Sequence, residues 1–285
     1  MSRVGPLTAL RNSFAVLFEG QNLLLAVVLC ALNGSAGLVV ADQVAAVVFD
    51  RYLLGQFTSA YEQAAAANNV TMSAEAAAES AAQRLAEFNT DPDTFRKKHR
   101  ALSVLTQGQQ PLLVSQLSQL VVSAIWNCFV GAFAASAAIY MWVQHHKKQS
   151  PTVYGGINYA INRYPRVLGA HSAAFLTIAL GNIIIVPGIL FGMQYAFVDA
   201  IATLDDRERA PLARSRALSA LRRGTVFRTF AMFLVWWVPF QFFTFYMQGM
   251  GLGEIALGGF FDHFVLLLID LCMVQIYLDL FGQQK

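Results

Sequence analysis

The chain has 285 residues, of which 56% are hydrophobic and only 13% are charged. Soluble domains carry about 25% charged residues. This composition, with a mean hydropathy of +0.48, therefore excludes an ordinary soluble protein and predicts an integral membrane protein. The net charge of +3 is modest. Because the basic residues border apolar runs and form no basic domain, we expect no nucleic-acid partner.

The first long apolar run begins near Leu23. We predict a first span at about 20–43, because a membrane-crossing helix needs about 20 apolar residues. No cleavable signal peptide is expected before this run. Gly34 and Gly37 predict close contacts between helices, since small residues let two backbones approach each other.

The segment 51–111 is the one sizeable stretch outside the apolar runs, and it is rich in alanine. We interpret it as a helical insertion within a single integral membrane domain, 1–285. Ser73 or Thr71 is a candidate N-cap for one helix, and Asp91-Pro92 is a start signal for a second. The resulting hairpin is interpreted either as a cap over the bundle or as a docking surface for a protein partner.

The apolar stretch before residue 205 leaves two topologies open. Gly169 to Thr203 is either one long helix, which gives five spans, or two short spans folded back at Pro187-Gly188, which gives six. Short cytoplasmic loops carry excess Lys and Arg, and only the six-span arrangement places the basic residues of the short loops on one side. We therefore predict six spans, with both termini cytoplasmic, in the inner membrane of a bacterium. The predicted spans are about 20–43, 117–143, 167–185, 187–204, 229–249 and 256–280.

A basic amphipathic helix is predicted over 211–223, directly before the fifth span. Its arginines and serines share one arc, and its alanines and leucines share the opposite one. Such a helix lies in the membrane interface. It is either a topology anchor or a surface for anionic lipid or a partner, with the candidate contact residues Arg214, Arg216, Arg222 and Arg223.

The last span carries the most ionisable and polar side chains. Such residues are functional candidates because placing them in a membrane is costly. The intramembrane candidates are Asp270, His263, Asp262 and Gln275. Asp270 lies near mid-span and shares a face with His263, seven residues before it. It is either a proton or cation relay or the hydrogen-bond partner of an asparagine, for which the candidates are Asn33, Asn127 and Asn182. We interpret His171 as a buried hydrogen-bonding residue.

The motifs of common enzymes do not occur in this chain. There is no HExxH, GxSxG, Walker loop or CxxC sequence, so we expect no enzymatic activity, no cofactor and no bound metal. His145 and His146 follow a span and are interpreted as solvated. The three cysteines, Cys30, Cys128 and Cys272, lie inside apolar runs and are interpreted as packing residues.

Four short motifs follow one another along the chain: Val186-Pro187-Gly188-Ile189, Arg214-Ser215-Arg216-Ala217-Leu218, Arg223-Gly224 and Tyr277-Leu278-Asp279-Leu280. In these motifs the chain resembles a group of prokaryotic six-helix membrane proteins. The group includes the YciC-like inner-membrane proteins and the membrane domain found beside glycerophosphoryl diester phosphodiesterases. The resemblance covers about residues 113–282, and more loosely 8–45. It implies an all-helical bundle with a Pro-Gly hairpin and a basic surface helix, and it implies no catalytic residues.

The chain departs from this group at two places. The 51–111 insertion is longer than the first loop that the resemblance implies. In the group an arginine often follows the Tyr-x-Asp motif, whereas here Leu280 and Phe281 follow Asp279. This difference argues against an ion pair at that point.

Two classes of function remain open at this stage, with an intramembrane hydrolase as a weaker third. The first is a non-enzymatic scaffold or accessory subunit of a membrane complex, which the long insertion and the lack of catalytic motifs favour. The second is a transporter or lipid-handling protein. In it Asp270, His263 and the broken span at Pro187 line a pathway, since discontinuous helices often mark binding sites in transporters.

Overall fold

The structure, a computed structural model, describes residues 4–107, 109–184, 186–246 and 252–282. It is 88% helical, and no strand occurs within these ranges. The helices are α1 Pro6–Leu17, α2 Asn22–Cys30, α3 Gly37–Ala67, α4 Ala74–Thr90, α5 Pro92–Lys98, α6 Arg100–Gln107, α7 Gln109–Trp126, α8 Ala132–Lys147, α9 Val153–Asn182, α10 Val186–Tyr195, α11 Val198–Leu204, α12 Pro211–Leu221, α13 Arg223–Tyr246 and α14 Leu252–Gly282. Two π-helical segments, Ala31–Ala36 and Asn127–Gly131, directly precede α3 and α8.

The chain forms two compact units. The first comprises Met1–Val39 and Ala124–Lys285, and the second is Val40–Ser123. In the first unit α14 is the central helix, because it packs against α1, α2, α8, α13 and the π segment Ala31–Ala36. Leu271 and Ile276 of α14 are buried in the same core as Leu25 and Met141.

Four helical stretches of the described residues are long and apolar enough to cross a membrane. They are Asn22–Ala67, Leu113–Lys147, Val186–Leu204 and Gly253–Leu280. The predicted all-helical class is thereby confirmed, and these four stretches support the predicted membrane protein by length and composition; the predicted number of six spans is not confirmed. The predicted spans 167–185 and 229–249 lie on α9 and α13, which are helical but do not belong to these four stretches. Residues 185 and 247–249 lie outside the described residues.

The single long helix that a five-span topology requires, Gly169 to Thr203, is interrupted. Helix α9 ends at Asn182 and α10 begins at Val186. Pro187 therefore lies in the first turn of α10, after the break. A proline is tolerated there because the first N–H groups of a helix have no partner within it.

Helices α9 and α10 approach closely at this break. A methyl group on Gly181 would come within 2.9 Å of the backbone nitrogen of Gly188. A methyl group on Gly188 would in turn collide with the side chain of Asn182. Larger residues at these two positions would therefore push the two helices apart.

The second unit begins its helices at the caps that the sequence indicates. The Ser73 hydroxyl accepts a hydrogen bond from the N–H of Ala76 at 3.2 Å, at the start of α4. The Asp91 carboxylate accepts one from the N–H of Thr94 at 3.0 Å, at the start of α5. Both predicted starts are confirmed, and each cap satisfies a backbone donor that the helix itself leaves unpaired.

Aromatic packing and one charged cluster hold α3, α4 and α5 together in the second unit. The rings of Phe57 and Phe88 lie 5.8 and 5.5 Å from that of Phe95, measured between centroids. Glu87 accepts a hydrogen bond from Arg84 at 2.8 Å and lies 2.9 Å from Nε2 of His99. These two contacts, that of Arg84 first, lower the pKa of the Glu87 carboxyl below its ordinary value.

Candidate functional site

A cavity of about 340 Å³ lies inside the first unit. All four candidate spans contribute to its walls, together with α9 and α13. Its walls are mostly apolar, and its volume is within the range of small-molecule sites. Six polar side chains, which are amides, imidazoles and carboxylates, also line it: Asn33, Asn127, His171, Asp199, His263 and Asp270. We call it the polar cavity after these six side chains.

The two π-helical segments bring both asparagines to the cavity. Asn33 lies in Ala31–Ala36 and Asn127 lies in Asn127–Gly131, and each segment interrupts a long candidate span. Such π turns are rare and occur frequently at functional sites, because they change the direction of side chains along an otherwise regular helix. The apolar sequence pattern of these spans does not distinguish either π segment from a regular α-helix.

A contact between two glycines fixes the first π segment against α14. A methyl group on Gly259 would come within 2.6 Å of the carbonyl oxygen of Gly34, so only glycine fits at this crossing. Ser35 adds a hydrogen bond, since its hydroxyl donates to the carbonyl oxygen of Ala256 at 2.7 Å. The predicted helix contact at Gly34 is confirmed, and it holds Asn33 beside the helix that carries His263.

His171 and Asp199 form a hydrogen-bonded pair on the cavity wall, which is an ion pair when the imidazole is protonated. Nδ1 of His171 lies 3.0 and 3.1 Å from the two carboxylate oxygens of Asp199. Gly131 makes room for the imidazole, since a methyl group there would come within 2.9 Å of Nε2 of His171. His171 is a hydrogen-bonding residue, as predicted, but it is only partly buried, and its partner Asp199 was not predicted.

Asp199 follows a break in the third candidate span, between α10 and α11. Two serines of α12 satisfy the backbone groups that the break leaves without helical partners. Ser215 donates to the carbonyl oxygen of Gln194 at 2.9 Å and accepts from the N–H of Phe197 at 3.1 Å. Ser219 also donates to that carbonyl, at 3.2 Å. Serine side chains commonly satisfy such interrupted backbone inside membrane proteins.

These contacts correct the predicted orientation of the basic helix. Ser215 and Ser219 were expected on an outward polar arc, but they are buried against the bundle because they bond the broken backbone. Arg216 donates to the Tyr195 hydroxyl and lies over its ring, 5.4 Å from the centroid. Arg214 is partly buried and Arg223 is exposed. Contact of these arginines with lipid or a partner stays a prediction.

An ion pair is present at the end of α14, where the sequence argued against one. Arg222 supplies the positive charge, and its Nη2 lies 3.4 Å from the carboxylate of Asp279. Both side chains are mostly buried. The pair therefore connects the junction of α12 and α13 to the last helix.

Asp270 and His263 line the same cavity, as their shared face predicts. Nδ1 of His263 lies 3.2 Å from the Gly259 carbonyl oxygen, and Nε2 lies 3.4 Å from Oδ1 of Asn127. The Asp270 carboxylate forms no hydrogen bond with any of the residues described. Asn33 and Asn127, two of its predicted partners, line the cavity without bonding it. The third, Asn182, lies instead at the α9–α10 break.

The other two intramembrane candidates lie away from this cavity. Gln275 lines a separate pocket of about 310 Å³ with Trp142, His145 and Asp279. Its Oε1 atom is buried and has no partner in the described part of the chain. Asp262 is partly buried and does not belong to the walls of the polar cavity.

The arrangement suits reversible binding of a small polar molecule. It offers apolar walls, amide groups, the His171–Asp199 pair and the Asp270 carboxylate, which has no hydrogen-bond partner among the described residues. Within the described ranges no three His, Cys, Asp or Glu side chains are placed to hold a metal ion. Comparison with protein-family models, with curated proteins and with solved structures gives no match.

Proposed function

We propose that this chain is a membrane transporter for a small polar solute, which binds in the polar cavity. One observation carries the proposal: His171, Asp199, His263 and Asp270 converge on one cavity whose walls include all four candidate spans. Ionisable groups inside a membrane are costly, and they are typical of substrate and ion pathways. This geometry favours transport over the scaffold function that the sequence favours.

The interrupted helices support the same function. The π segments and the α10–α11 break all lie at the cavity wall. Many transporters bind their solutes where spans are discontinuous, because backbone groups and polar side chains become available there. Irregular backbone at membrane depth is tolerated where it lines a cavity.

We also propose six spans, with α9 and α13 as the third and fifth, and with both termini on the cytoplasmic side of a bacterial inner membrane. The helix break after Asn182 and the close packing of α9 against α10 support a fold-back at that point. The basic residues of the short loops support the orientation, since Lys and Arg are enriched in cytoplasmic loops.

The unit Val40–Ser123 favours a second function, docking of a protein partner. It has its own aromatic core and forms a compact unit by itself. Co-purification of a stoichiometric partner from native membranes, lost on deletion of 74–107, supports docking. Purification of the chain alone under the same mild conditions argues against it.

The transport proposal is tested by the solute content of cells that produce the protein. Wild type, Asp270→Asn and Asp42→Asn are compared at equal membrane levels. Asp42 is the matched control, because it is a carboxylate on a candidate span but does not line the cavity. We expect wild type and Asp42→Asn to change the level of the same solute and Asp270→Asn to leave it at the level of empty cells. Identical profiles for all three proteins would contradict transport through this cavity.

A further inference from the structure

The two acidic side chains of the polar cavity have different surroundings. Asp199 is hydrogen-bonded to His171, whereas no described residue lies within hydrogen-bonding or salt-bridge distance of Asp270, on which His171 acts only from farther away. Asp270 borders the cavity and keeps some accessible surface there. An ionised carboxylate in a low-dielectric site is costly without a partner. A ligand that brings a positive charge would supply that partner.

Asn33 is a second, independent sign of a ligand at this site. It lines the cavity and is only 8% exposed. Its Oδ1 atom has no hydrogen-bond partner among the described residues. A buried amide oxygen without a donor is unfavourable. Because this oxygen has almost no accessible surface as the amide stands, a small rotation of the Asn33 amide toward the cavity would let an N–H or O–H group of a bound molecule satisfy it.

The remaining walls favour an organic cation over a metal ion. Phe175 and Phe230 line the cavity with aliphatic side chains such as Leu29, Ile178 and Leu267. Aromatic faces attract ammonium groups, and apolar walls hold their alkyl substituents. Divalent metal ions such as Ca²⁺ instead require about six oxygen ligands, and the described residues offer no cluster of metal ligands.

We propose that the solute is a small organic cation, with its ammonium group at Asp270, its hydrogen-bond donor at Asn33 and its alkyl groups against Phe175 and Phe230. This inference rests on the transport function proposed above. The Tyr195 ring is expected to contribute less to cation binding, because Arg216 already lies over it.

The test is equilibrium binding to the purified full chain in detergent. The probes are tetramethylammonium, choline and benzyltrimethylammonium. The uncharged comparison is 3,3-dimethylbutan-1-ol, which has the shape of choline without its charge. We expect wild type and Asp42→Asn to bind at least one cation with a Kd of about 1 mM or tighter, in the usual range for solutes. Asp270→Asn should raise that Kd by about thirtyfold, because one member of a buried charge pair is lost.

A second variant and the uncharged probe keep the inference testable if Asp270→Asn does not fold. Phe230→Leu should weaken binding of the quaternary cations by about threefold, the size of one exposed cation–π contact. Wild type should bind choline more tightly than 3,3-dimethylbutan-1-ol. Equal binding of these two compounds would overturn the cation inference, as would no binding of any of the three cations at about 10 mM, well above the usual range.

The cell experiment separates this inference from transport itself. Asp270-dependent accumulation of a neutral or anionic solute would overturn the cation inference and leave transport standing. Cation binding that depends on Asp270, together with solute levels that do not, would leave the binding site standing and contradict transport.

Discussion

The imidazole of His171 lies 3.0 Å from the carboxylate of Asp199, and this contact joins α9 to α11 at the wall of the polar cavity. It also distinguishes the two acids there, because Asp199 is hydrogen-bonded to His171, whereas Asp270 has no side chain within hydrogen-bonding distance in the described part of the chain. In the proposed transport function the His171–Asp199 pair is structural, and Asp270 is the group expected to meet the solute.

The first prediction concerns the strength of this pair. His171→Phe and Asp199→Leu should each lower the free energy of unfolding by about 3 kcal/mol, because each leaves a mostly buried polar group without its partner. The double variant should lose less free energy of unfolding than the two single variants lose together, with a coupling energy of at least about 1 kcal/mol. Denaturant unfolding of wild type, the two single variants and the double variant in detergent measures this double-mutant cycle. Strict additivity would show that the two residues do not interact in the folded protein.

The second prediction concerns the serines that satisfy the α10–α11 break. Ser215→Ala should cost about 2 kcal/mol, because it removes two hydrogen bonds and leaves the N–H of Phe197 without a partner. Ser219→Ala should cost about 0.5 to 1 kcal/mol, because the Gln194 carbonyl keeps Ser215. Ser118→Ala is the control, since the Ser118 hydroxyl donates to the Val114 carbonyl oxygen of its own helix. Thermal unfolding should rank the three in this order, and equal losses would contradict the assigned roles.

The third prediction concerns the glycine crossing. Gly34→Ala should destabilise the protein by at least about 2 kcal/mol, because the added methyl group meets the backbone of Gly259. Gly55→Ala on α3 is the matched control, since a methyl group there has open space around it. It should be neutral or stabilise by up to about 1 kcal/mol through helix propensity. A loss at Gly55 as large as the loss at Gly34 would refute the close crossing.

The fourth prediction concerns pH and the second unit. The pKa of Glu87 is lowered in the folded chain, so its carboxylate stabilises the fold above its unfolded pKa. This contribution is lost as the pH falls through the folded pKa. Glu87→Gln should therefore lower stability most at neutral pH, and the difference from wild type should shrink below pH 4.5, the ordinary value for this group. Hydrogen exchange of the α4 and α5 amides, compared between Glu87→Gln and wild type at equal pH, measures this stability difference. A stability difference between Glu87→Gln and wild type that grows as the pH falls would contradict a lowered pKa of Glu87.

The fifth prediction concerns topology. With six spans, residue 215 lies in the cytoplasm. A fusion of alkaline phosphatase near residue 215 should therefore be inactive, because this reporter is active only in the periplasm. A fusion near residue 70 should be active. Activity of the fusion at residue 215 would place this residue in the periplasm and contradict the proposed orientation.

Local signals predicted some parts of the structure correctly. Ser73 and Asp91 cap helices because a cap depends only on the residues three positions later. Asp270 and His263 share the cavity because seven residues make two turns of a helix. The glycine at position 34 marked a close contact because small residues have few other uses within an apolar span.

Other parts depend on contacts between residues that are distant in sequence. His171 and Asp199 meet because α11 packs against α9, a contact between residues 28 positions apart. The serines of α12 face inward because they bond a break in another helix, and helical periodicity alone assigned them to the opposite side. The π segments at Asn33 and Asn127 occur in apolar runs whose pattern is that of a regular helix, so periodicity could not reveal them.

The measurement closest to the central claim is the accessibility of the cavity from water. Ala134 lines the cavity, whereas Ala137, three residues later on α8, is fully buried in the core. Each is replaced by cysteine in a chain whose three native cysteines are replaced by alanine. Both variants are then treated with a membrane-impermeant thiol reagent from each side of the membrane. Alternating access predicts labelling of Ala134→Cys from both sides and none of Ala137→Cys. Labelling of Ala134→Cys from neither side would contradict a solute pathway through this cavity.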